Sequence, residues 1–194
     1  DELAEEFNLT VFRRGDRHGA KAGIINDFIS NLEAKYIAVF DADQNPMPSF
    51  LKKLIPVLES NEKLAFIQTP QFYTNMNTNP ISEASTFQQA IFYENICEGK
   101  SLNNAMFCCG TNVVFRKEAL MSVGGFDESS ITEDFATSIK LHSAGYQSLY
   151  YNHVCAFGLA PESLSAYFKQ QTRWAAGTIH VFRKVIVRFL KNPF

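Results

Sequence analysis

Asp41 and Asp43 flank a single alanine directly after the apolar run from Tyr36 to Phe40. In an extended chain, side chains alternate between faces, so both carboxylates can address one spot while Ala42 points away. Paired carboxylates at the carboxyl end of a parallel strand suit a divalent cation shared with phosphate oxygens, in the crevice where α/β sheets hold ligands. An acidic turn capping the next helix is the alternative. Thr132-Glu133-Asp134 falls at a predicted helix start, where free N–H groups and the macrodipole favour carboxylates. Capping accounts for that placement by itself. A second acidic cluster would also supply the base that glycosyl or phosphoryl transfer needs apart from its metal ligands. Gln170-Gln171-Thr172-Arg173-Trp174 holds the single Trp beside an Arg. Trp faces stack on sugars and Arg pairs bidentately with diphosphates; a core Trp with a surface Arg is the plainer reading.

These residues need elements to hold them. Residues 2–8 read as the end of a helix and Leu9 to Arg13 as a strand running into the Gly15–Gly19 loop. A helix is predicted over 21–34, a strand over 35–40, a helix over 49–59 and a strand over 64–68. A polar, Asn-rich loop from Pro70 to Pro80 opens onto a helix near 82–98. Alternation at this spacing predicts α/β architecture with a mostly parallel sheet flanked by helices. Ala105 to Arg116 then reads as two extended segments broken at Gly110. Thr132 can cap a helix to about Ser143, Gly145 stops it, and an aromatic strand follows over 146–151. After Pro161 the chain is predicted helical to about Leu190. Residues 1–160 form the predicted core and 161–194 a helical appendage.

The 194 residues suit one domain, and 46% hydrophobic against 20% charged excludes disorder for most of the chain. Eighteen Lys and Arg against twenty Asp and Glu give a net charge of −2, which excludes a dedicated nucleic-acid binder. No apolar run approaches the roughly 18 residues of a membrane span. The acidic start lacks the marks of a signal peptide and looks like a cut inside a longer protein. Cys97, Cys108, Cys109 and Cys155 show no paired CxxC spacing, so reduced thiols in a cytosolic compartment are expected. The four His are scattered and read as structural.

Asp41-Ala42-Asp43, Thr132-Glu133-Asp134 and Gln170-x-x-Arg173-Trp174, in this order and spacing, resemble the D, D, QxxRW pattern of processive family 2 glycosyltransferases. Between them, His18 to Gly23, Gln68 to Tyr73, Phe107 to Thr111 and Gly158 to Leu164 resemble cellulose synthase catalytic subunits more than hyaluronan or chitin synthases. The resemblance implies a GT-A fold and an inverting transfer of glucose from UDP-glucose to the 4-hydroxyl at the non-reducing end of a β-1,4-glucan. It implies that Asp41 and Asp43 hold UDP with Mg²⁺ or Mn²⁺, that Lys21 lies near the diphosphate, and that Gln170 and Arg173 hold the nucleotide. It makes Asp134 the general base, and puts Cys109, Gly110, Glu133 and Trp174 by the acceptor.

The same resemblance implies that the family's first aspartate and strands lie upstream of Asp1. Transmembrane helices and a gating loop would lie elsewhere in the parent protein, with accessory synthase subunits among its partners. The domain would sit on the cytoplasmic face of the plasma (inner) membrane, and the isolated segment is expected to be inactive. From Thr178 to Lys191, Ile179, Val181, Phe182, Val185, Ile186, Phe189 and Leu190 alternate with Arg183, Lys184, Arg188 and Lys191, the pattern of a helix in the headgroup plane. An ordinary packed helix with a solvated face is its alternative, and the resemblance favours an interface helix leading to a span after Phe194. The rival functions are a non-processive membrane glycosyltransferase acting on a lipid, a metal-dependent phosphohydrolase or nucleotidyltransferase, and a non-catalytic module.

Overall fold

Four apolar stretches build the main sheet, and burial along each decides its place. The computed structural model of the chain describes residues 2–16 and 18–191. Every residue of β3 (Leu64–Gln68) and β5 (Val113–Arg116) is buried, as interior strands require. Burial alternates along β1 (Tyr36–Val39) and β6 (Gln147–Tyr150), which lie outside them in the order β1-β5-β3-β6. β3 and β6 run parallel, whereas β5 pairs antiparallel with both β1 and β3. So β1, β3 and β6 share one direction and β5 runs against them, which gives a mixed sheet with one parallel and two antiparallel ladders among the described residues. The reversal follows from where the chain enters β5: Val113 stands opposite Val39 and Gln68, the last residues of β1 and β3. The loop 109–112 therefore crosses the carboxyl ends of those strands.

Side-chain alternation sends Phe66 and Phe115 to one face, against α2 (Ala20–Ser30), α6 (Lys117–Ser122) and α7 (Glu133–Ser143). Ile67 and Val114 go to the other, against α3 (Phe50–Glu59). On α3, Phe50, Leu54 and Leu58 recur every four residues and are buried, the stripe of a helix that covers a sheet. Each such side chain stabilises the fold by roughly 1.5–3 kcal/mol relative to exposure.

A small second sheet ties the two halves of the chain together. β2 (Asn45–Pro46) pairs antiparallel with β7 (Ala156–Gly158), and β4 (Phe72–Tyr73) pairs with β7 in parallel. α4 (Pro80–Ile91) begins earlier than predicted because the Asn79 side chain accepts from Ile81 N (2.8 Å) and Ser82 N (3.1 Å), with Pro80 as the first helical residue. It continues through a π-helical turn, Phe92–Cys97, into α5 (Glu98–Leu102). α8 (Leu164–Lys191) is one continuous helix of 28 residues.

The predicted strand from Leu9 to Arg13 does not form. Residues 9–14 follow the short α1 (Glu2–Glu6) without regular structure, and Phe12 packs on Phe28 at 5.5 Å. Apolar alternation alone makes no strand without a ladder, and among the described residues β1 pairs with β5. Among the described residues, no helix is long and apolar enough to cross a membrane. On the distal part of α8, Val181 is buried while Ile179, Phe182, Ile186 and Leu190 are exposed. The side chains of Arg188, Phe189 and Lys191, and any span after Phe194, lie outside the described residues.

Candidate active site

The carboxyl end of β1 opens the site. After Val39 the chain leaves the strand, and Gln44 N donates to Asp41 O at 3.0 Å to close a turn. Asp41 and Asp43 thus owe their common direction to this turn and not to strand pleating, which corrects the alternation expected from the sequence. Asp41 N donates to Thr111 Oγ1 (2.9 Å), anchoring the turn to the loop before β5. Gly19, at φ +59 and packed so closely on Glu128 that a Cβ would collide, starts α2. That start puts Lys21 in the first turn, where Nζ donates to Asp41 Oδ1 (2.5 Å) and to Gly110 O (2.8 Å).

α7 supplies the third carboxylate. Phe135 N donates to Asp134 Oδ1 at 2.8 Å, and Oδ2 faces Gly110, where an added Cβ would stand 3.0 Å away. Gly110, at φ +82, therefore lets the loop approach Asp134 as no other residue would. Burial pushes the Asp134 pKa up to about 6, and the neighbouring Glu133 charge adds to the rise; the Phe135 N–H and Lys21 pull against it. A carboxylate tuned this way suits a general base near neutral pH. Thr132, predicted to cap α7, makes no side-chain cap. Its hydroxyl is buried without a partner, because the side chain is pressed against Gly177 of α8, where a Cβ would overlap it.

That contact sets α8 against α7, and further bonds hold the helix: Gln88 Nε2 to Gln171 Oε1 (3.2 Å), Tyr167 OH to Gln88 Oε1 (3.0 Å) and Lys184 Nζ to Ser129 Oγ (3.2 Å). Gln170, Arg173 and Trp174, at i, i+3 and i+4, share one face of α8. All three line the same cavity as the acidic residues.

That cavity measures about 340 Å³ and brings together all ten residues singled out from the sequence: Lys21, Asp41, Asp43, Cys109, Gly110, Glu133, Asp134, Gln170, Arg173 and Trp174. Gln44, Gln71, Tyr73, Ile131, Thr132 and Leu159 also line it. Of these, Gln44 was signalled only by standing beside the acidic pair, and Gln71, Tyr73 and Leu159 by lying inside motifs that carried no assigned role. Cys109 turns its thiol toward Cys97, and that contact together with burial pushes its pKa well up. Among the described residues, no group of three or more His, Cys, Asp and Glu gathers to hold a metal. Two carboxylates still fit a hard cation, since Mg²⁺ keeps several waters and completes its shell with substrate phosphates. The Asp41 carboxylate is engaged by Lys21 at one oxygen, which leaves the other oxygen and the neighbouring Asp43 carboxylate for such an ion.

The fold has solved counterparts. A mannosyltransferase from Pyrobaculum calidifontis, in complex with GDP-Man and Mn²⁺, superposes with a TM-score of 0.72 at 19% identity, over 95% of this chain and 49% of that one. TarS of S. aureus, in complex with UDP-GlcNAc, superposes with a TM-score of 0.58 at 13% identity, over 86% of this chain and 47% of that one. The architecture is the GT-A-like glycosyltransferase fold. The family model for glycosyl transferase family group 2 matches residues 36–193, and the chain belongs to that family. Among curated relatives, a UDP-forming cellulose synthase catalytic subunit of Dictyostelium discoideum is 40% identical over 84% of this chain. The UDP-forming cellulose synthase catalytic subunit of Pseudomonas fluorescens is 36% identical over 94% of this chain. The chain spans 16% and 25% of those two relatives.

Proposed function

We propose that this domain transfers glucose from UDP-glucose, with inversion, to the 4-hydroxyl at the non-reducing end of a β-1,4-glucan. The observation that carries the reading is the placement of Asp134, with its raised pKa, in the same cavity as Asp41, Asp43 and Trp174. The UDP-forming cellulose synthases at 36% and 40% identity support the donor and the product class. In this reading Asp41 and Asp43 hold Mg²⁺ or Mn²⁺, which when bound would offset charge on the diphosphate as a Lewis acid. Lys21 adds a positive charge beside the same phosphates. Gln170 and Arg173 bind the nucleotide, with the guanidinium suited to paired phosphate oxygens. Trp174 stacks under the terminal acceptor sugar, while Cys109, Gly110 and Glu133 border it.

Asp134 takes the proton of the acceptor hydroxyl as that oxygen attacks the anomeric carbon. The new glycosidic C–O bond forms as the bond from that carbon to the β-phosphate oxygen breaks, and the electron pair departs with UDP. Attack opposite the leaving group inverts the configuration. The domain acts within a longer protein at a membrane surface, consistent with the exposed apolar residues on the distal part of α8.

The test is product analysis of the full-length protein given radiolabelled UDP-glucose and Mg²⁺ or Mn²⁺. The reading expects label in an insoluble polymer that an endo-β-1,4-glucanase digests, and at least about a 100-fold loss of incorporation in Asp134→Asn. Label in a lipid extract, or phosphate release without sugar transfer, would replace it with one of the rival chemistries.

A further inference from the structure

Asn112 is fully buried and holds φ +54, a left-handed conformation that asparagine tolerates better than most residues. Its main-chain carbonyl is fixed by Thr69, whose N (3.0 Å) and Oγ1 (3.1 Å) both donate to it. With the backbone held there, the side chain turns back toward the acidic turn, and Nδ2 donates to Gln44 Oε1 at 2.9 Å. Gln44 in turn closes that turn through its main-chain N–H to Asp41 O. The Gln44 amide nitrogen occupies the space where a Cβ on Gly158 would stand, so the glycine in β7 is what lets the carboxamide lie in this position. Thr111, the residue before Asn112, accepts from Asp41 N. Two consecutive residues at the mouth of β5 therefore grip both ends of the turn that carries Asp41 and Asp43.

We infer that Asn112, acting through Gln44 and the space left by Gly158, is a positioning residue that sets the Asp41 and Asp43 carboxylates for a divalent cation and a nucleoside diphosphate. The inference rests on the donor-site reading above and extends it to a residue that does not line the cavity. A carboxamide used only to satisfy buried polar groups would influence stability and leave cation affinity alone. A clamp on the turn would influence cation affinity first.

The experiment is calorimetric titration of Mn²⁺ in the presence of UDP on the full-length protein, comparing wild type with Asn112→Asp, Gln44→Ala and Gly158→Ala. Asn112→Asp keeps size and shape but has no N–H for Gln44 Oε1. Loss of such an outer support commonly costs about 10- to 100-fold in metal affinity, and a drop of about tenfold is expected in each variant. Asn112→Asp combined with Gln44→Ala is expected to weaken Mn²⁺ no further than either alone, since both break one link. Transfer is expected to recover toward the wild-type rate at high Mn²⁺, so the defect appears in the metal and donor dependence and not in kcat. Folded variants that bind Mn²⁺ and UDP as wild type does would overturn the inference alone. If Asn112→Asp does not fold, Gln44→Ala decides the same question. A wild type that binds no UDP with Mn²⁺ would overturn the donor-site reading and the inference with it.

Discussion

Asp134 is a partly buried acid whose ionisation opposes folding, and this gives it two separable signatures. In its proposed role as base it must be deprotonated, so kcat/KM is expected to rise with pH through about 6 and then level. Its folded pKa lies above the ordinary carboxyl value of 3.8, so the folded state holds the proton more tightly than the unfolded chain does. The stability this contributes is complete below the unfolded pKa and is lost as pH rises through about 6. Asp134→Asn is therefore expected to be more resistant to urea than wild type by about 1–2 kcal/mol near pH 8, an advantage that disappears near pH 3. Equal stability of the two proteins near pH 8 would show that burial does not strain this carboxyl. The residue types were legible in the sequence: a carboxylate pair, two adjacent acids at a helix start and an Arg-Trp pair on a helix. The raised pKa was not, because the desolvation behind it depends on how the rest of the chain packs around the carboxyl.

At the scale of elements, the crossing of α7 and α8 decides whether base and indole face one cavity. Gly177 lies against Thr132, two residues before Asp134, while Trp174 is one turn earlier on α8. Gly177→Val would force the helices apart, and small misplacements of a reacting group cost about 100-fold in rate. Turnover is expected to fall by roughly that factor, with a loss of UDP affinity beside it because Gln170 and Arg173 ride on the same helix. Unchanged turnover would mean that the crossing has no bearing on the chemistry. Local signals carried the sequence reading where periodicity was enough, as in α3 with its stripe of Phe50, Leu54 and Leu58. They failed where partners were needed: Leu9 to Arg13 alternates like a strand but joins no sheet among the described residues, and the direction of β5 was fixed by where its loop enters the sheet. Thr132 has a capping residue's chemistry, yet its packing on Gly177 keeps the hydroxyl from the α7 N–H groups.

For the molecule as a whole, the sheet collects its chemistry at one end. β1, β3 and the loop into β5 meet there, the second sheet ties the acidic turn to the strand before α8, and α8 closes the cavity from outside. The proposed function puts the cation and the diphosphate on the Asp41–Asp43 side and proton transfer on α7. The most direct test of that division measures Mn²⁺-dependent UDP binding and sugar transfer side by side on the full-length protein, for Asp134→Asn and for Asp43→Asn. Asp134→Asn is expected to bind UDP within about threefold of wild type while transfer falls by at least about 100-fold. Asp43→Asn is expected to lose Mn²⁺-dependent binding and transfer together. Loss of UDP binding in Asp134→Asn, or full transfer by either variant, would contradict the assignment of separate roles to the two carboxylate sites.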